Sequence, residues 1–436
     1  MKIWQKEGNI ISSTTALIND FTVGKDREFD LQLAEFDVLG SLAHTQMLQQ
    51  AGLLSETELS LIHQELNSIL TEIKSGAFEI NEEAEDIHSQ MEWMLTQRIG
   101  EAGKKIHSGR SRNDQVLLDV KLYLRSELKS ISRLVMELFN VLQHLSETHR
   151  DKLFPGYTHM QVAMPSSFGL WFGAYAESLT DDMEMVEAAY RICNKNPLGS
   201  GAGYGSSFPL NRELTTDLLG FEQMNYNVVY AQMTRGKSEK SVAVALSTVA
   251  ATLSKLAYDM CLYMSQNFGF ISFPEELTTG SSIMPHKKNP DVLELVRAKC
   301  NRIQSVPNEV TLLINNLPSG YHRDLQLTKE ILFPAIEELK SCLRITAFAL
   351  SNIHVESDLL KDERYRHIFS VERVNELVLK GTSFRDAYKQ VGAEIASGTF
   401  IASKELLHTH EGSMGNLCTE EIKRSMLKFS FLMETD

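Results

Sequence analysis

The chain has 436 residues, of which 43% are hydrophobic and 23% charged, and its formal net charge is −14 at pH 7. This composition is typical of a globular protein with two or three domains, since single cores rarely grow beyond about 300 residues. The acidic balance argues against a general nucleic-acid partner, which would favour a basic face. It does not exclude an anionic small-molecule substrate, because a few local cations decide that.

The cysteines and the apolar runs indicate the compartment. The cysteines lie apart, with no C-x-x-C pair, at Cys193, Cys261, Cys300, Cys342 and Cys418. We therefore expect neither a zinc site nor a disulfide framework. Residues 1–10 do not resemble a signal peptide, and no apolar run approaches the roughly 18 residues of a membrane span. The expected location is a reducing cytoplasm, without a membrane partner.

The predicted elements are helices, and the longest lie in the middle of the chain. After an irregular segment from Asn9 to Gly24, residues 30–75 and 84–99 predict shorter helices. Four later stretches place apolar residues at steps of three and four, which is typical of helices in a bundle. These stretches are residues 117–145, 242–264, 292–317 and 327–343. Strand signals are few, so the predicted fold class is all-α.

Changes of pattern near residues 105 and 355 predict three mainly helical domains. They are an N-terminal helical domain (1–105), a central long-helix bundle (106–355) and a small C-terminal helical domain (356–436). The first long stretch covers roughly 45 Å at 1.5 Å per residue, more apolar face than one small domain covers. We expect oligomerisation to bury these faces. The alternative is an elongated monomer that hides them itself.

The segment from Gly280 to Pro290 reads GSSIMPHKKNP and is the most informative of the chain. Its small residues let the backbone approach a ligand, and its prolines keep it out of a regular helix. Lys287 can face an anion and Asn289 can hydrogen-bond one. The segment therefore predicts a mobile loop that closes over a carboxylate substrate. The alternative is a flexible surface loop.

A second polar segment, Lys105 to Gln115, precedes the first long helix. Ser111 or Asn113 can cap that helix, while the guanidinium of Arg112 suits bidentate binding of a carboxylate. The two roles are compatible. We expect at least one of Arg112 and Asn113 to bind substrate.

Three shorter segments complete the candidates. In Gly156–Gln161, His159 is suited to proton transfer near neutral pH, although a loop histidine is more often structural. The glycine-rich stretch 199–205 is not a dinucleotide site, because Tyr204 replaces the third glycine and no strand precedes it. We expect a tight turn there instead. Tyr321–Glu330 is rich in donors and acceptors between two helices, as is a solvated connection.

Together these segments resemble the argininosuccinate lyase family of the fumarase/aspartase superfamily. The matches run from Ile87 to Lys329. Gly109–Gln115 is close to the signature of this family, and Leu198–Ala202 and Tyr321–Lys329 also match it. The resemblance implies three mainly helical domains and a homotetramer around a central helical bundle. Each active site would draw residues from three chains.

The resemblance also implies a reaction, the reversible cleavage of argininosuccinate to arginine and fumarate without a metal or organic cofactor. Ser281 would be the general base, with its anion stabilised by loop N–H groups and nearby cations. His159 would be the general acid, and Glu294 its carboxylate partner. Lys287 would hold the charge that develops on the substrate. The implied substrate-binding residues are His88, Arg112, Asn113, Thr158, Asn289, Tyr321, Gln326 and Lys329.

The sequence departs from the family pattern at four places. The Trp-Gly-Gly-Arg-Phe opening is absent, and Phe21–Arg27 does not align with the Phe-Asn-Ser segment. Arg235–Lys240 replaces an Arg-Asp pair, and His286 stands where glutamine is usual. Adenylosuccinate lyases often have histidine at that position. An adenylosuccinate lyase or another N-succinyl lyase therefore stays open, as does a non-catalytic, crystallin-like structural protein.

Overall fold

The computed structural model describes residues 13–401 and 406–434, with side chains described from residue 17. Helices dominate this part of the chain, which confirms the predicted all-α class. In chain order they are α1 Ser13–Val23, α2 Asp26–Asp30, α3 Ala34–Gln50, α4 Glu56–Lys74, α5 Ile87–Ile99, α6 Glu101–Lys104, α7 Arg112–Thr148, α8 Phe168–Cys193, α9 Arg212–Leu218, α10 Val228–Met233, α11 Lys237–Met264, α12 Asp291–Ile303, α13 Val306–Ile314, α14 Thr328–Ser351, α15 Ser370–Leu379, α16 Phe384–Ala396 and α17 Thr419–Leu427.

The strands of the described residues are short and pair two by two. One antiparallel hairpin has strands of six and seven residues, and the other strands have two residues each. The pairs are β1 Leu153–Thr158 with β2 Gln161–Ser167, β3 Lys195–Asn196 with β4 Gln223–Met224, β5 Ile271–Ser272 with β8 His354–Val355, and β6 Thr279–Gly280 with β7 Lys288–Asn289.

Three of the four predicted long helices are confirmed as α7, α11 and α14. The prediction of one helix over residues 292–317 is wrong, because the chain forms α12 and α13 with a break after Ile303. Pro307 lies in the first turn of α13. Proline has no N–H to donate to the carbonyl of Ile303, so the hydrogen-bond ladder of α12 cannot continue through it.

The predicted irregular segment from Asn9 to Gly24 is also wrong where the structure describes it. Ser13–Val23 forms α1, and Gly24 follows with a φ of 51°. This left-handed conformation is common just after a helix and carries no penalty for glycine. The first four positions of the segment, 9–12, lie outside the described residues.

The contacts divide the chain into two compact units. The first takes residues up to Ile131, Met185–Thr248 and Arg302–Glu338. The second takes Ser132–Glu184, Val249–Asn301 and the residues from Leu339 onward. This is a different partition from the three predicted domains, whose boundaries near 105 and 355 stay a prediction.

The core of the first unit fixes α3, α4 and α5 against one another. Ile62, Leu66 and Ile69 of α4 are fully buried in a cluster with Val38 of α3 and Leu95 of α5. Helix α4 begins with a capping box, in which Ser55 and Glu58 satisfy each other's backbone N–H groups. The buried cluster anchors α5 against α3 and α4. It thereby also fixes the N-terminus of α5, where the candidate site begins.

An aromatic cluster forms part of the core of the second unit. Phe154 of β1 stacks on Phe168 at the start of α8, with ring centroids 4.5 Å apart. Phe270 lies edge-on to Phe154, and Trp171 contacts Tyr263 in the same cluster. These contacts anchor the base of the β1–β2 hairpin, so that its tip projects from a rigid support.

One helix of the described residues, α11, is long and apolar enough to cross a membrane by length and composition alone. Half of its apolar window is buried inside the structure. Core helices of this length meet the same criterion, so the finding is weak evidence for a membrane span.

Candidate active site

A cavity in the first unit collects half of the predicted site residues. It has a volume of about 170 Å³. Its lining includes the predicted His88, Arg112, Asn113, Tyr321, Gln326 and Lys329, together with Asp26, Asp30, Glu85, Asp86, Val116, Arg235 and Arg323. These residues come from segments as much as 303 positions apart in the sequence, from Asp26 to Lys329, which the fold brings together.

The N-termini of two helices meet at this cavity. Asp86 caps α5 by accepting hydrogen bonds from the N–H and hydroxyl of Ser89, at 2.7 and 2.6 Å. Arg112 is the first residue of α7, and its guanidinium donates to the hydroxyl of Ser89 at 2.6 Å. Helix N-termini favour negative charge, so the cavity is suited to the carboxylates of a substrate.

Arginines and acids alternate along the wall of the cavity. The guanidinium of Arg112 lies 3.4 Å from Glu85 and 3.2 Å from Asp86, measured between nitrogen and oxygen. Arg323 pairs with the other oxygen of Glu85 at 3.0 Å and also donates to the side chain of Gln326 at 3.2 Å. Glu85 and Asp86 therefore hold the arginine side chains in orientation before a substrate binds. An incoming carboxylate can replace either acid as the partner of an arginine.

Lys329 is buried between two carboxylates of α2. Its ammonium group pairs with Asp30 at 2.5 Å and with Asp26 at a short distance. Burial and the neighbouring Asp30 raise the pKa of Asp26 to about 6, although Lys329 opposes the shift. Sequence reasoning missed both aspartates. Their spacing of four residues, which puts them on one helix face, was the available signal.

Arg235, whose role the sequence left open, supports the segment that carries Tyr321 and Gln326. It forms a fully buried ion pair with Glu239 at 2.8 Å, within one helical turn. Its guanidinium also donates to the carbonyl of Leu325 at 3.0 Å. These bonds hold the 3₁₀ turn Arg323–Leu327 in place, so the Arg235–Lys240 segment has a defined structural role.

The glycine-rich stretch forms a turn, as the sequence predicts, and this turn surrounds the carboxylate of Asp114. The N–H groups of Gly199 and Gly201 donate to one oxygen of Asp114, at 3.0 and 2.8 Å. Both glycines have positive φ angles, of 82° and 60°, which a side chain would disfavour. The other oxygen of Asp114 accepts from the N–H of Ser111 at 2.8 Å. This contact fixes the start of α7, where Arg112 and Asn113 lie.

The other six predicted residues belong to the second unit, and two of them lie on the β1–β2 hairpin. Thr158 pairs with Gln161 across the hairpin, and His159 and Met160 form its tip. Both tip residues have left-handed φ angles, of 53° and 59°. Side chains rarely adopt this conformation, and it costs on the order of 1 kcal/mol or more per residue. Such strain is often found at functional sites.

The segment from Gly280 to Asn289 forms a closed loop. The ladder of β6 and β7 joins its ends, with Thr279 opposite Asn289 and Gly280 opposite Lys288. Directly after β6, the hydroxyl of Ser281 accepts hydrogen bonds from the N–H groups of Ile283 and Met284, at 3.3 and 3.1 Å. Two amide donors on one hydroxyl stabilise its deprotonated form, because they offset negative charge on that oxygen.

The predicted partnership of His159 with Glu294 is not formed in the single chain. Within the described ranges 13–401 and 406–434, neither an ion pair nor a hydrogen bond joins these two side chains. Glu294 lies in the first turn of α12, shortly after Asn289 of the loop. Lys287 is exposed, and its backbone N–H donates to the carbonyl of Met284 at 3.0 Å.

One group of described residues meets the distance requirement of a metal site. Ligand atoms of Asp37, His88 and Asp119 lie within 4.8 Å of one another. However, His88 Nδ1 and Asp37 Oδ1 are 2.9 Å apart, which is the length of a direct hydrogen bond and needs only a proton between the atoms. We therefore assign no metal to the group.

Comparison with known proteins decides the family. A family model described as Lyase matches residues 8–305. Argininosuccinate lyase from Parabacteroides distasonis is 60% identical over 425 residues, covering 98% of this chain and 94% of that protein. The chain belongs to the argininosuccinate lyase family. It is therefore an enzyme, a lyase of the fumarase/aspartase superfamily.

More distant relatives agree with this membership. Argininosuccinate lyase from Thermotoga neapolitana is 40% identical, over 89% of this chain and 97% of that protein. Among solved structures, EDDS lyase in complex with formate has a TM-score of 0.74 at 21% identity, covering 94% of this chain and 90% of that one. Class II fumarase from Schistosoma mansoni has a TM-score of 0.70 at 16% identity, covering 93% and 90%. These two structures support the fold.

Proposed function

We propose that this family member catalyses the reversible elimination of fumarate from argininosuccinate, leaving L-arginine, in the arginine biosynthesis of the cytoplasm. The observation that carries the proposal is the cavity of the first unit. It gathers six residues that the family resemblance implied for substrate binding. The 60% identity to an argininosuccinate lyase over nearly the whole chain supports the same substrate.

The cavity suits a substrate with charges of both signs. Argininosuccinate carries carboxylates together with a guanidinium and an ammonium group, and the cavity walls carry cations beside acids. In the proposed complex, Arg112 and Asn113 hold the succinyl part, together with Thr158. Tyr321, Gln326 and Lys329 also face the substrate, and Gln326 contacts its arginine part. Each substrate charge then replaces a partner that the side chains already have in the free protein.

The chemistry begins with removal of a weakly acidic proton from the carbon beside a carboxylate. Ser281 is the proposed base, and the N–H groups of Ile283 and Met284 support its alkoxide. Lys287 and Asn289 stabilise the negative charge that spreads into the substrate carboxylate. His159 then protonates the departing guanidino nitrogen, directly or through water. This sequence of steps uses no metal or organic cofactor.

We further propose a homotetramer in which several chains build each site. The cavity of one chain would receive the Gly280–Asn289 loop and the His159 hairpin of others, and Glu294 would meet His159 across a subunit contact. The family resemblance implies this sharing. The absence of a His159–Glu294 contact within the described part of one chain is consistent with it.

A second candidate is a lyase for another N-succinyl compound. His286 favours it, because adenylosuccinate lyases often have histidine at this position of the loop.

A test of the proposed function is to follow fumarate formation by ultraviolet absorbance with argininosuccinate, adenylosuccinate and aspartate as separate substrates. We expect release from argininosuccinate alone. Release from adenylosuccinate would move the substrate assignment, and no release from any of them would favour a non-catalytic scaffold.

A further inference from the structure

Behind the cavity, three buried ionisable residues come together from three helices. Asp37 lies on α3, His88 on α5 and Asp119 on α7. Asp37 and Asp119 are almost completely inaccessible, at 1% and 0% exposure, and His88 is 6% exposed. The Nδ1 atom of His88 is 2.9 Å from Asp37 Oδ1 and 3.6 Å from Asp119 Oδ2. We call these three residues the Asp37 cluster.

Burial and the closeness of the two carboxyl groups disfavour the state in which both are charged. Asp37 Oδ1 accepts from His88 and, at 2.6 Å, from the side-chain amide of Gln115. Asp37 Oδ2 and both oxygens of Asp119 have no hydrogen-bond partner among the described residues. Two unsolvated carboxylates side by side repel strongly, and a single shared proton removes one charge and satisfies two of these oxygens.

Burial and the neighbouring charges favour Asp119 as the carboxyl group that holds the proton. Its burial and the neighbouring Asp37 raise the pKa of Asp119 well above its usual range, although Arg110 opposes the shift. For Asp37 burial also acts upward, but His88, Arg110 and the amide of Gln115 outweigh it and lower the pKa. A neutral Asp119 can donate its proton to Asp37, which stays charged opposite His88.

The imidazole ring of His88 links this cluster to the cavity, which it lines. Because Nδ1 is committed to Asp37, Nε2 is the nitrogen that remains for a ligand. Burial acts to lower the pKa of His88, but Asp37, Asp86 and Asp30 outweigh it and raise the pKa above its ordinary value. The charged or titratable groups near the cluster also include Arg110, just before α7, Arg112, at its start, and His107, whose pKa is lowered by burial and by Arg110, Arg112 and His88.

We propose that Asp37 and Asp119 are positioning residues, which hold His88 as an imidazolium of fixed orientation whose Nε2–H donates to a substrate carboxylate. Asp37 supplies the negative charge, and Asp119 supplies a neutral donor that orients Asp37. The inference rests on the proposed function for the identity of the carboxylate, which belongs to the succinyl part of the substrate. Neither aspartate touches the substrate.

Two isosteric variants separate the roles of the carboxyl groups. Asp37→Asn removes the negative charge that pairs with the imidazolium of His88. Burial then favours the neutral ring, and carboxylate binding weakens as pH rises. We expect KM for argininosuccinate to increase about tenfold at pH 8 and less than about threefold at pH 6, with a smaller change in kcat. Asp119→Asn keeps a neutral donor toward Asp37, so KM should stay within about twofold at both pH values.

The measurements are kcat and KM at pH 6 and pH 8 for the wild type and both variants, as ratios to the wild type. The ratios cancel other titrations in the cavity, such as that of Asp26. A KM ratio for Asp37→Asn that does not change with pH would overturn the proposal. An increase in KM of about tenfold or more for Asp119→Asn would also overturn it, and this measurement stands alone if Asp37→Asn does not fold.

Calorimetric titration with fumarate keeps this test apart from the test of the proposed function. Wild-type affinity for fumarate should fall less between pH 6 and pH 8 than that of Asp37→Asn. This readout needs no turnover, so it remains valid if argininosuccinate proves not to be the substrate. Equal falls in affinity would contradict the positioning role even in a fully active enzyme.

Discussion

At the scale of single residues, the cavity is a set of charged groups that balance one another before any substrate arrives. Lys329 meets two carboxylates, so one negative charge near it is not neutralised. Arg112 and Arg323 share the acids Glu85 and Asp86. Such an arrangement keeps charged side chains oriented for a charged ligand, at a cost in the stability of the free protein.

The pKa of Asp26 indicates the size of that cost. Its folded-state pKa of about 6 lies above the ordinary value of 3.8, so the folded chain binds this proton more tightly than the unfolded chain. The stability that Asp26 contributes is therefore present below about pH 4 and is lost as pH rises to about 6. The variant Asp26→Asn should escape this loss and be more stable than the wild type at pH 7, by up to about 3 kcal/mol.

Urea denaturation at pH 4.5 and pH 7 checks this expectation, with Asp20→Asn as the control. Asp20 is an exposed aspartate of the preceding helix, and its substitution should change the free energy of unfolding by less than about 0.5 kcal/mol. A stability gain for Asp26→Asn that is equal at both pH values, or a loss at pH 7, would contradict the interpretation of the Asp26–Asp30–Lys329 group.

Sequence reasoning reached part of this site and missed the rest for a physical reason. The family resemblance named Arg112, Gln326 and Lys329, which the structure places in one cavity. Asp37 and Asp119 escaped, because their partnership with His88 depends on contacts between residues far apart in the sequence, 51 positions in the case of Asp37. No local pattern distinguishes a buried aspartate on a helix from a solvated one.

At the scale of elements, the hairpin of β1 and β2 shows strain where chemistry is proposed. His159 and Met160 occupy the two tip positions with left-handed φ angles, which hairpins of this kind usually fill with Asn and Gly. The anchored aromatic base can maintain such a tip. The sequence pattern did not predict the hairpin, because its strands carry Pro155, Gly156 and Pro165, which weaken strand signals.

Met160→Gly should stabilise the protein if the tip is strained. Glycine adopts a positive φ without a steric penalty, so we expect a gain of about 0.5–1 kcal/mol in the free energy of unfolding. Met160 is 65% exposed, so little buried apolar area is lost. Chemical denaturation measures the change, and Gln161→Gly, in the adjacent strand, should destabilise instead. Destabilisation by both substitutions would show that the tip is not strained.

Helix boundaries show which elements a sequence specifies well. Apolar periodicity predicted α7, α11 and α14, because each buries one continuous stripe. The same periodicity crosses Pro307 without interruption, although the helix itself breaks there. A packing pattern therefore reports which face is buried, while proline reports whether the backbone hydrogen bonds can continue.

At the scale of the whole molecule, the proposed tetramer requires that several chains contribute residues to each active site. The cavity residues belong to one compact unit, while Ser281 and His159 belong to the other. If different chains supply Ser281 and His159 to one site, two inactive variants can complement each other. Ser281→Ala and His159→Asn are each expected to be inactive alone.

Mixed tetramers of these two variants should recover activity. After refolding an equal mixture, about a quarter of the sites would contain both unaltered residues, if each comes from a different chain. We expect about a quarter of the wild-type rate in verified mixed tetramers. Persistent inactivity would mean that one chain supplies both residues or that the sites are not shared. Each variant refolded alone serves as the control.

The most direct test of the account compares fumarate release from argininosuccinate by the wild type, Ser281→Ala and Ser282→Ala. The adjacent serine is a matched control on the same loop, and only the hydroxyl of Ser281 accepts the N–H groups of Ile283 and Met284 among the described contacts. We predict rapid release by the wild type and Ser282→Ala, and a loss of more than about a hundredfold for Ser281→Ala with the oligomer intact. Near-normal turnover by Ser281→Ala would contradict the central claim that this serine is the base.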